Sequence, residues 1–271
     1  MPSSFSPEDN PSTFRRIAAA MWNRPSDPTI HGFVDIDVSH TLNFIDAFRR
    51  DTGLSLTVTH VVSRAVARAF ARYPALNAKV RFSGRLENRS SVDLVVSVAT
   101  EGGGDLSAAR IERADELSLE DIVRATVRAV DDTRRGSDGD YERSRSLIRK
   151  LPWWLVRPAL RLSDFVGNEL QVHLPALGMP RDPFGTAVIT NVGMFGIDTA
   201  FAPLVPLGRS PMLLLVTEIK RRPWAVEDRV ESRPVLRLCA SFDHRVIDGY
   251  QAGLLATEIT DYVRTPEASG R

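Results

Sequence analysis

The chain has 271 residues, one cysteine and a formal net charge of +1, with 43% hydrophobic and 25% charged residues. This balance excludes a disordered chain, a collagen and a disulfide scaffold, and the near-zero charge argues against a dedicated nucleic-acid binder. No run approaches ~18 uninterrupted apolar residues, so no transmembrane helix is expected.

The opening MPSSFSPEDN has no basic patch ahead of an apolar run, so no secretory leader is expected. A lone cysteine fits a reducing compartment, read as the cytoplasm. Residues 1–13 read as a mobile lead-in. A short helix is expected from Phe14 to Trp22, then a strand over Ile30–Val38. A helix over Thr41–Arg50 is closed by Gly53. The clearest helix follows: Val58, Val61, Val62, Ala65, Val66, Ala69 and Phe70 share one face and Pro74 stops it. Arg64, Arg68 and Arg72 are expected on its solvated face.

Lys79–Phe82, Val92–Ala99 and Leu106–Ile111 are strand candidates, with a turn at Gly102–Gly104. Ser118 and Asp121 resemble a capping box opening a helix through Arg134, with Leu119, Ile122, Val123, Val127 and Val130 inward. Residues 136–140 read as a loop. In 141–183, basic residues surround Trp153, Trp154, Leu155 and Leu162, and Pro152 and Pro158 are expected to break a long helix. This stretch reads first as a helical insertion packing on its own domain. A flap over a substrate and a weak membrane-surface contact through 141–166 are the alternatives. Strands are then expected at Thr186–Thr190 and Met212–Ile219, a hairpin from Trp224 to Phe242, and a last helix through Val263. The alternation of strands and helices with a hairpin predicts a mixed sheet.

The stretch that carries chemistry is Ser241-Phe242-Asp243-His244-Arg245-Val246-Ile247-Asp248-Gly249, where a strand hands over to the last helix. A histidine there, with a carboxylate four residues on and a glycine permitting a tight turn, is well placed for a general base. No further His or Cys has metal-ligand spacing, so no metal is expected. Cys239 reads as a small core residue rather than a reactive thiol.

SFDHRVIDG resembles the signature of the dihydrolipoyl acyltransferase catalytic domains of 2-oxo acid dehydrogenase complexes, and more distantly that of chloramphenicol acetyltransferase. Thr190-Asn191-Val192-Gly193-Met194-Phe195-Gly196 resembles the same family's S/T-N-x-G-x-F-G segment. Residues 56–78 resemble its core helix and P-x-x-N-A turn, 92–100 and 117–134 its next strand and helix, and 17–21 its opening I-A-x-x-M. The matches keep the family's order from residue 15 to 263.

The resemblance implies an α/β fold, a chloramphenicol acetyltransferase-like two-layer sandwich of mixed sheet and flanking helices. It implies a catalytic domain over 14–264, with 141–183 a family-atypical insertion and 265–271 a flexible tail. It implies that His244 takes the proton of an attacking thiol, that Thr190 donates to the tetrahedral oxyanion, and that Asp248 holds the loop through an arginine, Arg15 or Arg16. Asn191, Gly193, Asp243, Arg245 and Gly249 are implied to support the loops or the substrate. Coenzyme A is implied as substrate, and homotrimers with a channel between subunits as the assembly.

Lipoyl domains normally precede such a catalytic domain, and none is legible here. Lys79, Lys150 and Lys220 are the only lysines, and none has the acidic-Lys-Ala context of a lipoyl site. A lipoyl group is therefore expected only from another protein. A non-catalytic trimeric scaffold and a transferase acting on a small hydroxyl or amine acceptor are the rival readings.

Overall fold

A computed structural model describes residues 27–99, 106–134, 152–170, 182, 184–206 and 208–267. The expected helix at Phe14–Trp22, the turn at Gly102–Gly104 and the loop at 136–140 lie outside the described residues, as do Arg15 and Arg16. Strand β1 spans Thr29–Asp37, helix α1 Ser39–Thr52 and α2 Val58–Arg72. The short strands β2 (Ala78–Val80) and β3 (Leu86–Asn88) form a hairpin of their own. Strands β4 (Leu94–Ala99) and β5 (Leu106–Ile111) precede α3 (Leu119–Arg134) and α4 (Trp153–Asp164). Strands β6 (Ala187–Asn191), β7 (Met212–Val216), β8 (Lys220–Val226) and β9 (Arg229–Asp243) lead into α5, Gly249–Arg264.

The main sheet runs β1-β9-β7-β6-β4-β5, with β8 pairing the outer half of β9. It is mixed, as expected: β6 is parallel to β4 and β7, and the other pairs are antiparallel. Period-two alternation decides its faces. Ile36, Leu94, Val96, Ala187, Ile189, Met212, Leu214, Leu236 and Leu238 meet the helices in one core. The intervening Leu213, Leu215 and Cys239 point to the other face, where Val188, Val192 and residues of the 200–204 segment cover them. Cys239 is fully buried, and burial pushes its thiol pKa up, so it is a core residue.

Helix α2 is the centre of the helical layer. Gly53, at φ 71°, ends α1 with its N–H on the Arg49 carbonyl. Thr57 then opens α2 in a reciprocal capping box: its hydroxyl accepts from the His60 N–H, while the His60 ring accepts from the Thr57 N–H. Because α3, α5 and the sheet surround α2, its outer face is not simply solvated. Arg64 is 3% exposed and donates to the Ala114 and Asp115 carbonyls at 3.3 and 3.2 Å, which corrects the expected solvent-facing stripe. Arg68 lies over the Tyr262 ring at 5.1 Å, and Arg72 pairs with Glu258 at 3.1 Å. In α3 the correction runs the other way: Val127, expected inward, is exposed.

The insertion also departs from expectation. Pro152 stands at the N-cap of α4, but Pro158 sits inside the helix. Pro158 and Trp154, whose carbonyl the proline ring leaves without its usual donor, are both exposed. The C-terminal end of α4 and the turn after it are clamped to the β2–β3 hairpin and to Arg209. Arg209 donates to Glu169 at 2.5 Å and to Asp164 at 2.8 Å; Arg81 and the Phe82 N–H bind Glu169 from the hairpin side. Burial pushes the Glu169 carboxyl up, but its hydrogen bonds from Arg209, Phe82 and Arg81 outweigh that and bring its pKa down to about 2. No helix among the described residues is long and apolar enough to cross a membrane.

Candidate active site

Strand β9 delivers His244 to one edge of the helical layer. The turn after it is tightly built. The Asp243 carbonyl accepts from the N–H groups of Val246 and Ile247, and its own N–H bonds the Pro211 carbonyl. The buried Asp243 carboxylate accepts the Arg245 N–H at 3.0 Å and both arms of its guanidinium at 2.9 and 2.7 Å. That hydrogen-bonded pairing raises the Arg245 pKa. Asp243 and Arg245 therefore fix the shape of the turn.

The His244 backbone N–H bonds Pro28, and its ring is exposed. Its Nδ1 lies 3.1 Å from the Ile247 carbonyl oxygen. A carbonyl can only accept, so this contact places the proton on Nδ1 and leaves the Nε2 lone pair free to take another. Nε2 has no hydrogen-bond partner among the described residues. The arrangement is that of a pre-oriented base.

Asp248 caps α5. Its carboxylate accepts the Gln251 N–H at 2.9 Å, and the Gln251 amide accepts the Asp248 N–H at 2.9 Å. It makes no ion pair with any described residue, so the expected pairing with Arg15 or Arg16 falls on residues outside the description. Gly249 is corrected in role. It opens α5 without left-handed φ, and an added Cβ would meet nothing within 4 Å. The turn does not require glycine, and the position has room for a side chain.

Thr190 and Asn191 end β6, and the chain turns at once through Gly193–Phe195. The Asn191 amide works in two directions. Its Oδ1 accepts the Gly193 N–H at 3.0 Å, and its Nδ2 donates to Thr59 Oγ1, in the first turn of α2, at 2.9 Å. A Cβ on Gly193 would lie 2.4 Å from the Thr217 carbonyl oxygen, so only glycine lets this turn press against the strand behind it. The Thr190 hydroxyl has no partner among the described residues. Met194 and Phe195 are exposed. Thr59 is the site residue that sequence reasoning missed, since nothing local marks a threonine one turn into a helix as the partner of a residue 132 positions away.

Register separates the two halves. Ala187 of β6, Met212 of β7 and Phe242 of β9 share one row. Thr190 lies three residues from that row and His244 two residues in the opposite direction. At strand rise and spacing, this is about 17 Å along the strands and about 10 Å across them. Within one chain the histidine and the threonine do not meet. Among the described residues, no group of three or more His, Cys, Asp or Glu side chains is placed to hold a metal ion.

The chain resembles known proteins throughout its length. It is 24% identical over 277 residues to a probable dihydrolipoyllysine-residue succinyltransferase component of the 2-oxoglutarate dehydrogenase complex of Schizosaccharomyces pombe, covering 98% of this chain and 52% of that protein. The chain thus spans about half the length of the curated relatives it matches. Among solved structures, a probable dihydrolipoamide acetyltransferase of Listeria monocytogenes superposes with a TM-score of 0.66 at 21% identity, covering 99% of each chain. The Azotobacter vinelandii dihydrolipoamide acetyltransferase, whose serine, histidine and asparagine have been examined for their role in catalysis, gives 0.62 at 21% identity over 96% of this chain and 92% of that one. The cubic core of the pyruvate dehydrogenase multienzyme complex gives 0.61 at 22% over 97% and 93%. These likenesses establish the fold, and chloramphenicol acetyltransferase shares it at a TM-score of 0.50. The family model of the 2-oxoacid dehydrogenases acyltransferase catalytic domain matches residues 8–144 and 184–270, on both sides of α4, and the chain belongs to that family.

Proposed function

We propose that the protein is an acyltransferase that moves an acyl group between a thioester and a thiol, with coenzyme A as one substrate. The observation that carries this reading is the hydrogen bond from His244 Nδ1 to the Ile247 carbonyl, which leaves Nε2 open as a base at an exposed strand end. Nε2 takes the proton of the attacking thiol. The thiolate adds to the thioester carbonyl, and the oxyanion that forms accepts the Thr190 hydroxyl's hydrogen bond. Collapse of the intermediate expels the second thiolate, which recovers the proton from the imidazolium. A preorganised donor of this kind is typically worth ~2.7–4 kcal/mol of barrier, and a positioned base roughly 10²–10⁴-fold in rate.

The separation of His244 and Thr190 supports a site built between copies, His244 from one and Thr190 from the next, in a homotrimer or a multiple of it. One solved structure that shares this fold is the cubic core of a multienzyme complex. Asp248 follows His244 by four positions, the spacing that separates the histidine and asparagine of the Azotobacter enzyme. We take 14–264 as the catalytic unit, with 141–183 as an insertion and 1–13 and 265–271 outside it. None of Lys79, Lys150 and Lys220 has the acidic-Lys-Ala context of a lipoyl site, so a lipoyl group would reach this site from outside residues 1–271. The single, buried cysteine suits a cytoplasmic setting.

Two measurements test this. Thioester-to-thiol transfer, assayed with acyl-CoA donors against thiol, amine and alcohol acceptors, is expected for thiols and lost in His244→Ala. Mixing His244→Ala with Thr190→Ala protein after dissociation and reassembly is expected to restore activity, because some interfaces then pair an intact histidine with an intact threonine. A folded His244→Ala protein with full activity would overturn the chemistry; failure of verified mixed oligomers to recover would overturn the shared site.

A further inference from the structure

The family model leaves residues 145–183 unmatched, and α4 lies inside that gap. Its outward face is regular. Trp154, Arg157, Pro158, Arg161, Leu162 and Phe165 follow one another at helical spacing, i, i+3, i+4, i+7, i+8 and i+11, and all are exposed. Trp154 is 61% and Leu162 63% exposed, and they are neighbours on one helix face rather than scattered single residues. The patch continues onto the β2–β3 hairpin. Phe82, 67% exposed, stacks on Phe165 with ring centroids 6.3 Å apart, and Arg209 holds the Phe82 ring from behind at 4.7 Å.

On the helix itself the outward charge has one sign. Arg157 and Arg161 are exposed and make no ion pair with any described residue. The carboxylates nearest in sequence, Asp164 and Glu169, are 7% and 12% exposed at their side chains and are both engaged by Arg209. Glu169 also keeps Arg81, so the anions face inward and the free guanidinium groups outward. The same clamp fixes the orientation of the helix, so the face is presented rigidly rather than by chance.

From this combination we propose that α4 with the Phe82 hairpin docks on an anionic lipid surface, lying in its plane. Apolar side chains including a tryptophan would enter the acyl boundary, and Arg157 and Arg161 would meet lipid phosphates. An acidic protein surface or a second copy of the chain fits less well. Guanidinium groups interleaved with tryptophan, leucine and phenylalanine along one edge of a short helix match a layered surface, anionic outside and apolar within.

Co-sedimentation of the full-length protein with vesicles of phosphatidylcholine alone, or mixed with phosphatidylglycerol, tests this. Binding is expected only to the anionic vesicles and is expected to weaken as salt is raised. Arg157→Gln and Arg161→Gln are each expected to cut partitioning about fivefold. Leu162→Ser is expected to weaken it without changing its salt dependence. Far-UV circular dichroism and thioester-to-thiol transfer serve as controls and are expected to be unchanged in all three variants. No binding by the wild type, equal binding to neutral vesicles, or wild-type binding by the arginine variants would each overturn the proposal. A change of oligomeric state in Leu162→Ser without vesicle binding by the wild type would assign the face to a second copy instead.

Discussion

Asn191 Nδ2 donates to Thr59 Oγ1 at 2.9 Å, which ties the end of β6 to the first turn of α2. Since Asn191 Oδ1 also holds the Gly193 N–H, one amide sets the direction in which the chain leaves Thr190. Thr59 thus acts on the proposed oxyanion donor through its neighbour, as a positioning residue. Losing the bond should cost stability by about 1 kcal/mol. Misplacement of a donor by ~1 Å can cost ~10²-fold in rate, so Thr59→Ala is expected to lower kcat roughly 10- to 100-fold with KM for coenzyme A little changed. Thr59→Ser keeps the hydroxyl and is expected to restore most of kcat. Steady-state kinetics on the three proteins decides it: a rise in KM at constant kcat, or no rescue by serine, would remove the positioning role.

Two glycines of the site motifs separate by mechanism. At Gly193 an added Cβ would press on the Thr217 carbonyl oxygen and carbon and on the Glu218 nitrogen, all backbone atoms that cannot swing aside. Gly193→Ala is therefore expected to destabilise the fold by ~1–3 kcal/mol or more, visible as a lowered Tm. At Gly249 the added carbon would meet nothing, so Gly249→Ala is expected to leave Tm within about a degree of wild type, since surface changes seldom exceed ±0.5 kcal/mol. Any cost is expected in transfer, since Gly249 opens the helix that follows the His244 turn. Equal kcat/KM in Gly249→Ala would show that this position does not bear on transfer.

The strands and helices were legible because their signals are local. Strand β5 is found at the expected Leu106–Ile111, and α2 follows the apolar period that Val58 to Phe70 display. What failed depends on a third neighbour. Arg64 sits on the polar side of α2, and periodicity cannot tell that the turn at 112–116 folds over it. The β2–β3 hairpin was only half visible, since β3, Leu86–Asn88, is three residues long and alternates with the wrong sign, exposed-intermediate-exposed. In the site, His244 and Thr190 could be named from motifs, but their separation is a matter of strand order and register. Asp248 as a helix cap is a local reading that the S/T-rich capping habit obscured, although Gln251 three residues on carried the signal.

The Glu169–Arg209 contact holds the insertion in place and should respond to acid late. The side chains of Glu169, Arg209 and Asp164 are all nearly buried, so removing one charge leaves others unsatisfied. Breaking such a buried pair typically costs ~3–5 kcal/mol, and Glu169→Gln is expected to release the C-terminal end of α4 rather than unfold the sheet. Hydrogen exchange should rise in 153–170 while β7 and β9 stay protected. Because the carboxyl is held at about 2, its contribution is present above its ordinary value of 4.5 and is lost only as pH falls from there towards 2. Unchanged exchange in 153–170 would mean that the clamp does not hold the helix.

His60 should act at milder pH and with the same sign for a different reason. It is 7% exposed, its ring accepts the Thr57 N–H at the start of α2, and burial with the nearby Arg49 charge brings its pKa from 6.5 down to about 4. The folded protein therefore keeps His60 neutral in a range where the unfolded chain protonates it. Stability is full above pH 6.5 and falls as pH drops towards about 4, by at most ~3 kcal/mol for a shift of this size. Replacing the histidine by glutamine removes the titration and keeps an acceptor for the Thr57 N–H, so His60→Gln is expected to flatten the slope. Urea unfolding at a series of pH values between 4 and 7 measures both proteins. A wild-type slope equal to that of His60→Gln would show that the α2 cap does not sense protons.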